Sequence, residues 1–334
     1  MIALRMAAGA ACVLALAACS SSHHAIQTTT PAAPTSAPST PAAPPPSINP
    51  LTGGAPSTNS VVAAKIDDTA AGRPQRGIDK ADIVYIEQVE GGLTRLLAVF
   101  NTTLPVVEPV RSTRVGDPEI ALQFGHIVYV ASGGSDGELK PLDASPLKTA
   151  INDRGDAGFT RDPNRPAPFN LAADLASIAA RLKGPQAQDF GMVWSSKVTN
   201  TGAVPGLTAD TMVGGTRVTF SWDAARQRYV RMIDGAIQKA TDGKVIATPN
   251  VIVQQCQITT FLGDIDQSGS PAKVTHTIGD GKVTVFRNGR RIDGTWHRAA
   301  VTNGTTLTDA HGKPIALAPG GAWFVLVATG TPVT

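Results

Sequence analysis

The chain has 334 residues, with 29 Lys and Arg against 26 Asp and Glu and a formal net charge of +3. That balance is too small and too evenly spread to argue for a nucleic-acid partner, and none is expected. Cysteines stand only at positions 12, 19 and 256, too few for a disulfide framework once the first two are assigned to export.

The N-terminus reads as a secretion signal. Arg5 supplies positive charge, and the Ala-rich run Met6–Ala18 is apolar but shorter than the ~20 residues of a transmembrane helix. It closes on Leu16-Ala17-Ala18-Cys19, a lipobox, in which small residues admit the signal peptidase and the thiol carries the lipid. Residues 1–18 are therefore expected to be removed. Acyl chains such as palmitate are expected to hold Cys19 in the cell membrane, with the body on the outer, extracytoplasmic face. Residues 19–60 are rich in Pro, Ala, Ser and Thr, and from 20 to 60 they carry no Asp, Glu, Lys or Arg. Such a segment buries too little surface to offset its ordering entropy, so it is predicted to be a disordered linker, extended at about 3.1 Å per residue. His23 and His24 within it are incidental.

From there the chain alternates strands with short helices. Val61–Ile66, Ile83–Gln88, Leu93–Phe100 and His126–Ala131 are rich in β-branched and aromatic residues and are predicted strands, with Gly91-Gly92 turning the second into the third. Asp117-Pro118-Glu119 opens a short helix, with Pro at its first position. Leu171, Leu175, Ile178 and Leu182 form one apolar stripe, which predicts a helix over Leu171–Lys183, capped by Asn170 and ended by Gly184-Pro185. Beyond it, strands are predicted at Thr216–Trp222, Arg228–Ile233, Val251–Thr260, Val274–Ile278, Val283–Arg287 and Ala322–Ala328. Asn288-Gly289 forms a type I′ hairpin leading into Arg290–Thr295.

The fold class is therefore α+β: a mixed α+β N-terminal subdomain over 61–184, then a mostly antiparallel β C-terminal subdomain over 185–334. Val61–Asn170 carries 12 basic against 15 acidic residues and Leu171–Thr334 carries 16 against 11, opposite balances compatible with mutual attraction. Cys256 shares a strand face with Ile252 and Ile258 and is predicted to be buried and inert. Trp296 and Trp323 are predicted to fill the β-rich core.

Four polar clusters exceed what a core requires: R-P-Q-R-G-I-D-K-A-D at 73–82, V-E-G-G-L-T-R at 89–95, P-V-R-S-T-R at 109–114 and A-S-G-G-S-D-G at 131–137. With R-D-P-N-R-P-A-P-F-N at 161–170, N-V-I-V at 250–253 and G-T-W…G-K-P-I-A-L-A-P-G-G-A-W at 294–323, their order resembles the YerB-like bacterial lipoproteins over nearly all of Leu51–Ala328. That family has an N- and a C-terminal domain of unknown function, so the resemblance implies a two-domain extracytoplasmic lipoprotein and no reaction. Two departures stand out. Relatives are expected to carry His where this chain has Ala131, and P-H-N where it has Pro168-Phe169-Asn170. With those histidines absent and no H-x-x-x-H spacing elsewhere, no metal and no cofactor are expected.

The clusters support three functional readings. In the first, Arg111 and Arg114 supply forked donors, the glycine turn Gly133-Gly134 before a helix supplies backbone N–H groups, and Glu90, Arg95, Ser112, Ser132, Ser135, Arg165 and Asn170 complete a pocket. Such a pocket would bind an anionic wall polymer or an envelope protein. Its alternative is an internal salt-bridge network among Glu90, Arg95, Arg111 and Arg114, with the glycines merely forming a tight turn. In the second, Gly133-Gly134-Ser135-Asp136-Gly137 fits G-x-S-x-G and makes Ser135 the nucleophile of a hydrolase. In the third, Glu90 is a glycan-cleaving acid partnered by Asp82 or Glu87. A non-enzymatic binding role is favoured.

Overall fold

The computed structural model describes residues 47–265 and 269–334. The signal, the lipobox with Cys19 and the linker through residue 46 lie outside the described residues. In chain order the N-terminal half contributes β1 (Val62–Asp67), β2 (Ile83–Gln88), β3 (Thr94–Phe100), β4 (Val106–Val107), α1 (Asp117–Ala121), β5 (Val128–Ala131), α2 (Asp136–Asp143), β6 (Lys148–Ile151), β7 (Phe159–Arg161), β8 (Leu171–Asp174) and α3 (Leu175–Leu182). The remainder contributes β9 (Val204–Pro205), β10 (Thr208–Val213), β11 (Thr216–Asp223), β12 (Arg228–Ile233), β13 (Ala236–Ile237), β14 (Ala247–Thr248) and β15 (Asn250–Ile265). It ends with β16 (Pro271–His276), β17 (Gly279–Arg287), β18 (Arg290–Arg298), β19 (Thr306–Asp309) and β20 (Ala322–Ala328).

Strands from both sides of residue 184 share one sheet, in the order β19-β18-β17-β15-β20-β2-β3-β1-β5-β6. Near its middle, β20 lies parallel to both β15 and β2, and joins the last strand of the chain to the second. The apolar runs V-V-A-A-K-I, I-V-Y-I and W-F-V-L-V are continuous because both faces of this sheet are covered. Ala63, Tyr85 and Phe324 belong to one core, and Ala64, Val84 and Val325 to the other. Trp296 and Trp323 are buried, as their pattern predicts. Cys256 is buried as well, and desolvation pushes its thiol pKa up to about 12. Two smaller sheets, β10-β11-β12-β13 with β14 on β12, and β4-β8-β7, pack beside the main one.

Two expectations need correction. Leu171–Ala173 is strand, paired with β7 and β4, and the helix begins only at Leu175 with Asp174 as its cap. The i, i+4 stripe had merged a strand end with the helix that follows it. Residues 47–60 are also not linker: Asn49 and Leu51 are fully buried, the Asn49 amide donates to Asn101 Oδ1 at 2.9 Å, and Trp194 Nε1 donates to Pro50 O at 2.9 Å. One apolar anchor and one polar plug suffice to dock a segment whose average composition is that of a linker. Gly91-Gly92 joins β2 to β3 as an antiparallel hairpin, as expected, with Gln88 opposite Thr94; the turn is a 3-10 turn over Glu90–Gly92 with both glycines at positive φ. The Asn288-Gly289 hairpin is as expected, both residues at positive φ and Arg287 paired with Arg290.

Candidate functional site

The register of the central strands builds the site. Residues directly opposite across β1, β3 and β2 point to the same face, and on one face these are Lys65–Leu97–Tyr85 and Asp67–Arg95–Glu87. That face is therefore apolar toward Ala63 and Val99 and charged toward the end of β1, where α1 and α2 cover it. The segment Val110–Thr113 threads between β1 and the loop after β5. Arg111 N–H donates to Lys65 O, Ser132 N–H to Arg111 O, and Thr113 N–H to Gly133 O, each at 2.9 Å. Two of the polar clusters are thus stitched together by backbone.

Beneath them lies a buried ionic core. Lys65, fully buried, pairs with Glu87 and, at 2.6 Å, with Asp117. Asp117 also accepts from the hydroxyls of Tyr129 and Thr113 and from the Arg114 backbone N–H. One ammonium faces two carboxylates, and the one with more hydrogen-bond donors, Asp117, takes the charge. Burial opposes ionisation of Asp117, but Lys65 and these donors hold its pKa below the ordinary value. Burial and the Asp117 charge raise Glu87 to about 8.

Above it, Arg114 is fully committed. Its Nε and Nη2 reach Glu90 Oε2 at 2.9 and 2.5 Å, and its Nη1 reaches Glu138 Oε1 at 2.6 Å and Thr113 O at 2.7 Å. Burial works against its charge, yet Glu138 and Glu90 outweigh that and raise its pKa. Arg111 is half-buried, stands 3.1 Å from Asp67 Oδ2 and lies over the Phe169 ring at 5.1 Å. Arg95 differs. It donates only to Ser112 O, at 3.3 Å, and among the described residues no carboxylate pairs with it. Burial and the neighbouring Arg114 and Arg111 charges push it down to about 10. The Ser112 and Ser132 hydroxyls stand 3.5 Å apart beside it.

Three positions of the G-G-S-D-G run, Gly133, Ser135 and Gly137, have structural explanations. A side chain at Gly133 would strike Asp153 Oδ2 at 1.9 Å, and one at Gly137 would meet Gly263 O at 2.9 Å where the end of β15 crosses α2. Ser135 is the N-cap of α2: its Oγ accepts from Glu138 N–H, and Glu138 Oε2 accepts from Ser135 N–H, a reciprocal capping box. The Ser132 and Ser135 N–H groups are thus used internally, on Arg111 O and Glu138 Oε2. Ser135 does sit where a nucleophile would, in a parallel β5-α2-β6 unit, but its hydroxyl is spent on the cap.

Two expected members fall elsewhere. Arg165 donates to Gly72 O and Pro74 O, and Asn170 bonds Asp162 O and Arg161. Only Phe169 brings that segment to Arg111. The glycan reading loses its pairing too. Asp82 accepts the N–H groups of Asn101 and Thr102 at the far end of β2, roughly 20 Å along the strand from Glu90, while Glu87 is sealed against Lys65. Asp67 and Glu138 were missed, although S-x-x-E at 135–138 was a readable sign of the capping box.

Residues 51–188 match the model for the protein of unknown function (DUF3048) N-terminal domain, and residues 209–324 match that for its C-terminal domain. The chain belongs to the YerB-like family. YerB of Bacillus subtilis (strain 168), described as a lipoprotein, is 27% identical over 277 residues, 80% of either chain. The fold is that of the crystal structure of the Bacillus subtilis YerB protein, with a TM-score of 0.72 at 24% identity over 86% of this chain and 99% of that one. The family's two domain models thus correspond here to segments that share one sheet. Asp68 and Arg231, joined at 2.6 Å across that division, both line a cavity of about 530 Å³.

Proposed function

We propose that this chain is an exported lipoprotein, anchored through Cys19 on the outer face of the membrane, that binds an anionic envelope component at the Arg95 end of the charged face. The lipobox and the relative's description support the anchor, and among the described residues no helix is long and apolar enough to cross a membrane. One observation carries the binding reading. Arg95 is half-buried beside two other guanidiniums, and among the described residues its charge has no carboxylate partner, whereas Arg111 and Arg114 are each held by carboxylates. A phosphate or carboxylate would accept from Arg95 and from the Ser112 and Ser132 hydroxyls, offsetting the burial and the like-charge repulsion that together depress the arginine's pKa. Nearby Phe169 adds an apolar wall.

The test is thermal melting with inorganic phosphate and with a carboxylate-bearing wall fragment. The wild type should be stabilised as ligand binds the native state alone, and Arg95→Ala should lose that response while melting near the wild-type temperature without ligand. No anion response in the wild type would overturn the reading.

A further inference from the structure

The charges around Arg95 are compensated among themselves. Asp67 stands opposite Arg95 across β1 and β3, but its Oδ2 lies 3.1 Å from Arg111 Nη1. Arg114 is held by Glu90 and Glu138. Two neighbouring guanidiniums thus meet three carboxylates. On the Ser132 side stands a further acid, since Asp153 N–H donates to Ser132 O and its Oδ2 lies against Gly133. Of the three guanidiniums, only that of Arg95 lacks a carboxylate among the described residues. Hydrogen-bond donors are more plentiful than charge. Arg95 donates to Ser112 O alone, Arg111 Nη1 is buried with no hydrogen-bond partner, and the Ser112 and Ser132 hydroxyls stand 3.5 Å apart. The site therefore offers several donors and one uncompensated positive charge.

We propose, resting on the anion-binding reading of this same site, that its ligand is a singly charged oxyanion, a phosphodiester or a carboxylate, and that Asp67 excludes doubly charged phosphate monoesters. The first negative charge neutralises Arg95. A second would meet a field in which carboxylates outnumber the remaining guanidiniums. A dianion also gives up more hydration on entering a half-buried site. Like charges brought together are a general means by which a site rejects a competitor of nearly the same shape. Asp67 is the acid best placed to do this. It is 1% exposed, in register with Arg95, and its Oδ2 is buried without a hydrogen bond.

The experiment is a series of thermal melts at pH 8 over rising concentrations of dimethyl phosphate, acetate and methyl phosphate, each giving an apparent Kd. Methyl phosphate carries close to two charges there, the second pKa of a phosphate monoester being about 6. The better of the two singly charged probes should bind the wild type at least about tenfold more tightly than methyl phosphate. Which of those two it is distinguishes a phosphodiester ligand from a carboxylate. Asp67→Asn keeps Oδ1 as acceptor for the Thr69 N–H and hydroxyl, and it should close the gap by tightening methyl phosphate. Arg95→Ala should lose all three responses. Methyl phosphate binding the wild type as tightly as the singly charged probes would overturn the proposed selectivity while leaving the anion site in place, and that comparison needs no variant. An unchanged gap in folded Asp67→Asn would overturn the role of Asp67, and a wild type that responds to none of the probes would overturn both readings.

Discussion

Arg114 donates to Glu138 at 2.6 Å, binding the arginine that precedes α1 to the third residue of α2. The same guanidinium holds Glu90, so three segments distant in sequence meet on one side chain. Arg114→Ala would strand two buried carboxylates and should cost about 3–5 kcal/mol. Arg114→Lys should recover little, because an ammonium cannot bond both in a fork. Arg95→Ala, with no carboxylate to strand among the described residues, should change stability by less than about 1 kcal/mol. Urea unfolding of the three variants measures the contrast, and equal losses at both positions would contradict it.

Stability should depend on pH through Glu87. Its folded pKa is raised, to about 8, by burial and by Asp117, so between the ordinary carboxyl value and pH 8 the folded state holds a proton that the unfolded state releases. Its contribution is therefore complete below about pH 4.5 and declines as pH rises toward 8. Glu87→Gln, a permanent mimic of the protonated form, should flatten that part of the profile. Melts across pH 5 to 8 would show it, and an unchanged slope in the variant would assign the dependence elsewhere.

Ser135→Ala removes the cap of α2 and should cost about 1 kcal/mol, with Ser135→Asp restoring most of it. In a hydrolase the same substitutions would each abolish turnover of an activated ester. Parallel melts and an esterase assay separate a capping hydroxyl from a nucleophile.

A chain beginning at Ser47 should melt like one beginning at Ser20. A chain beginning at Val61 should melt several degrees lower, since it loses the buried Leu51 and the Asn49–Asn101 hydrogen bond. Loss of a fully buried Leu alone removes roughly 1.5–3 kcal/mol. Equal melting of the two shorter chains would mean that residues 47–60 contribute nothing.

Cys19→Ser should leave the body folded and release it from the membrane, since firm anchoring requires the acyl chains that the thiol nucleates. Fractionation of cells carrying each form tests this, and equal retention in the membrane pellet would refute the anchor.

Local pattern determined much of this protein. β-branched runs marked β1, β2, β3 and β20 almost to the residue, and Asn288-Gly289 marked its hairpin, because strand propensity and a positive-φ turn are properties of neighbouring residues. The lipobox is legible for the same reason. The tertiary structure decided what depends on partners distant in sequence. Nothing near Ser135 shows that Gly137 yields to the end of β15, nor does P-V-R-S-T-R show that Arg111 would retain partial exposure while Arg114 was sealed between Glu90 and Glu138. Composition likewise hid the docking of Leu51. Burial and charge pairing are set by which surfaces the chain brings together across tens to hundreds of residues, and a one-dimensional pattern records only which groups need such a partner.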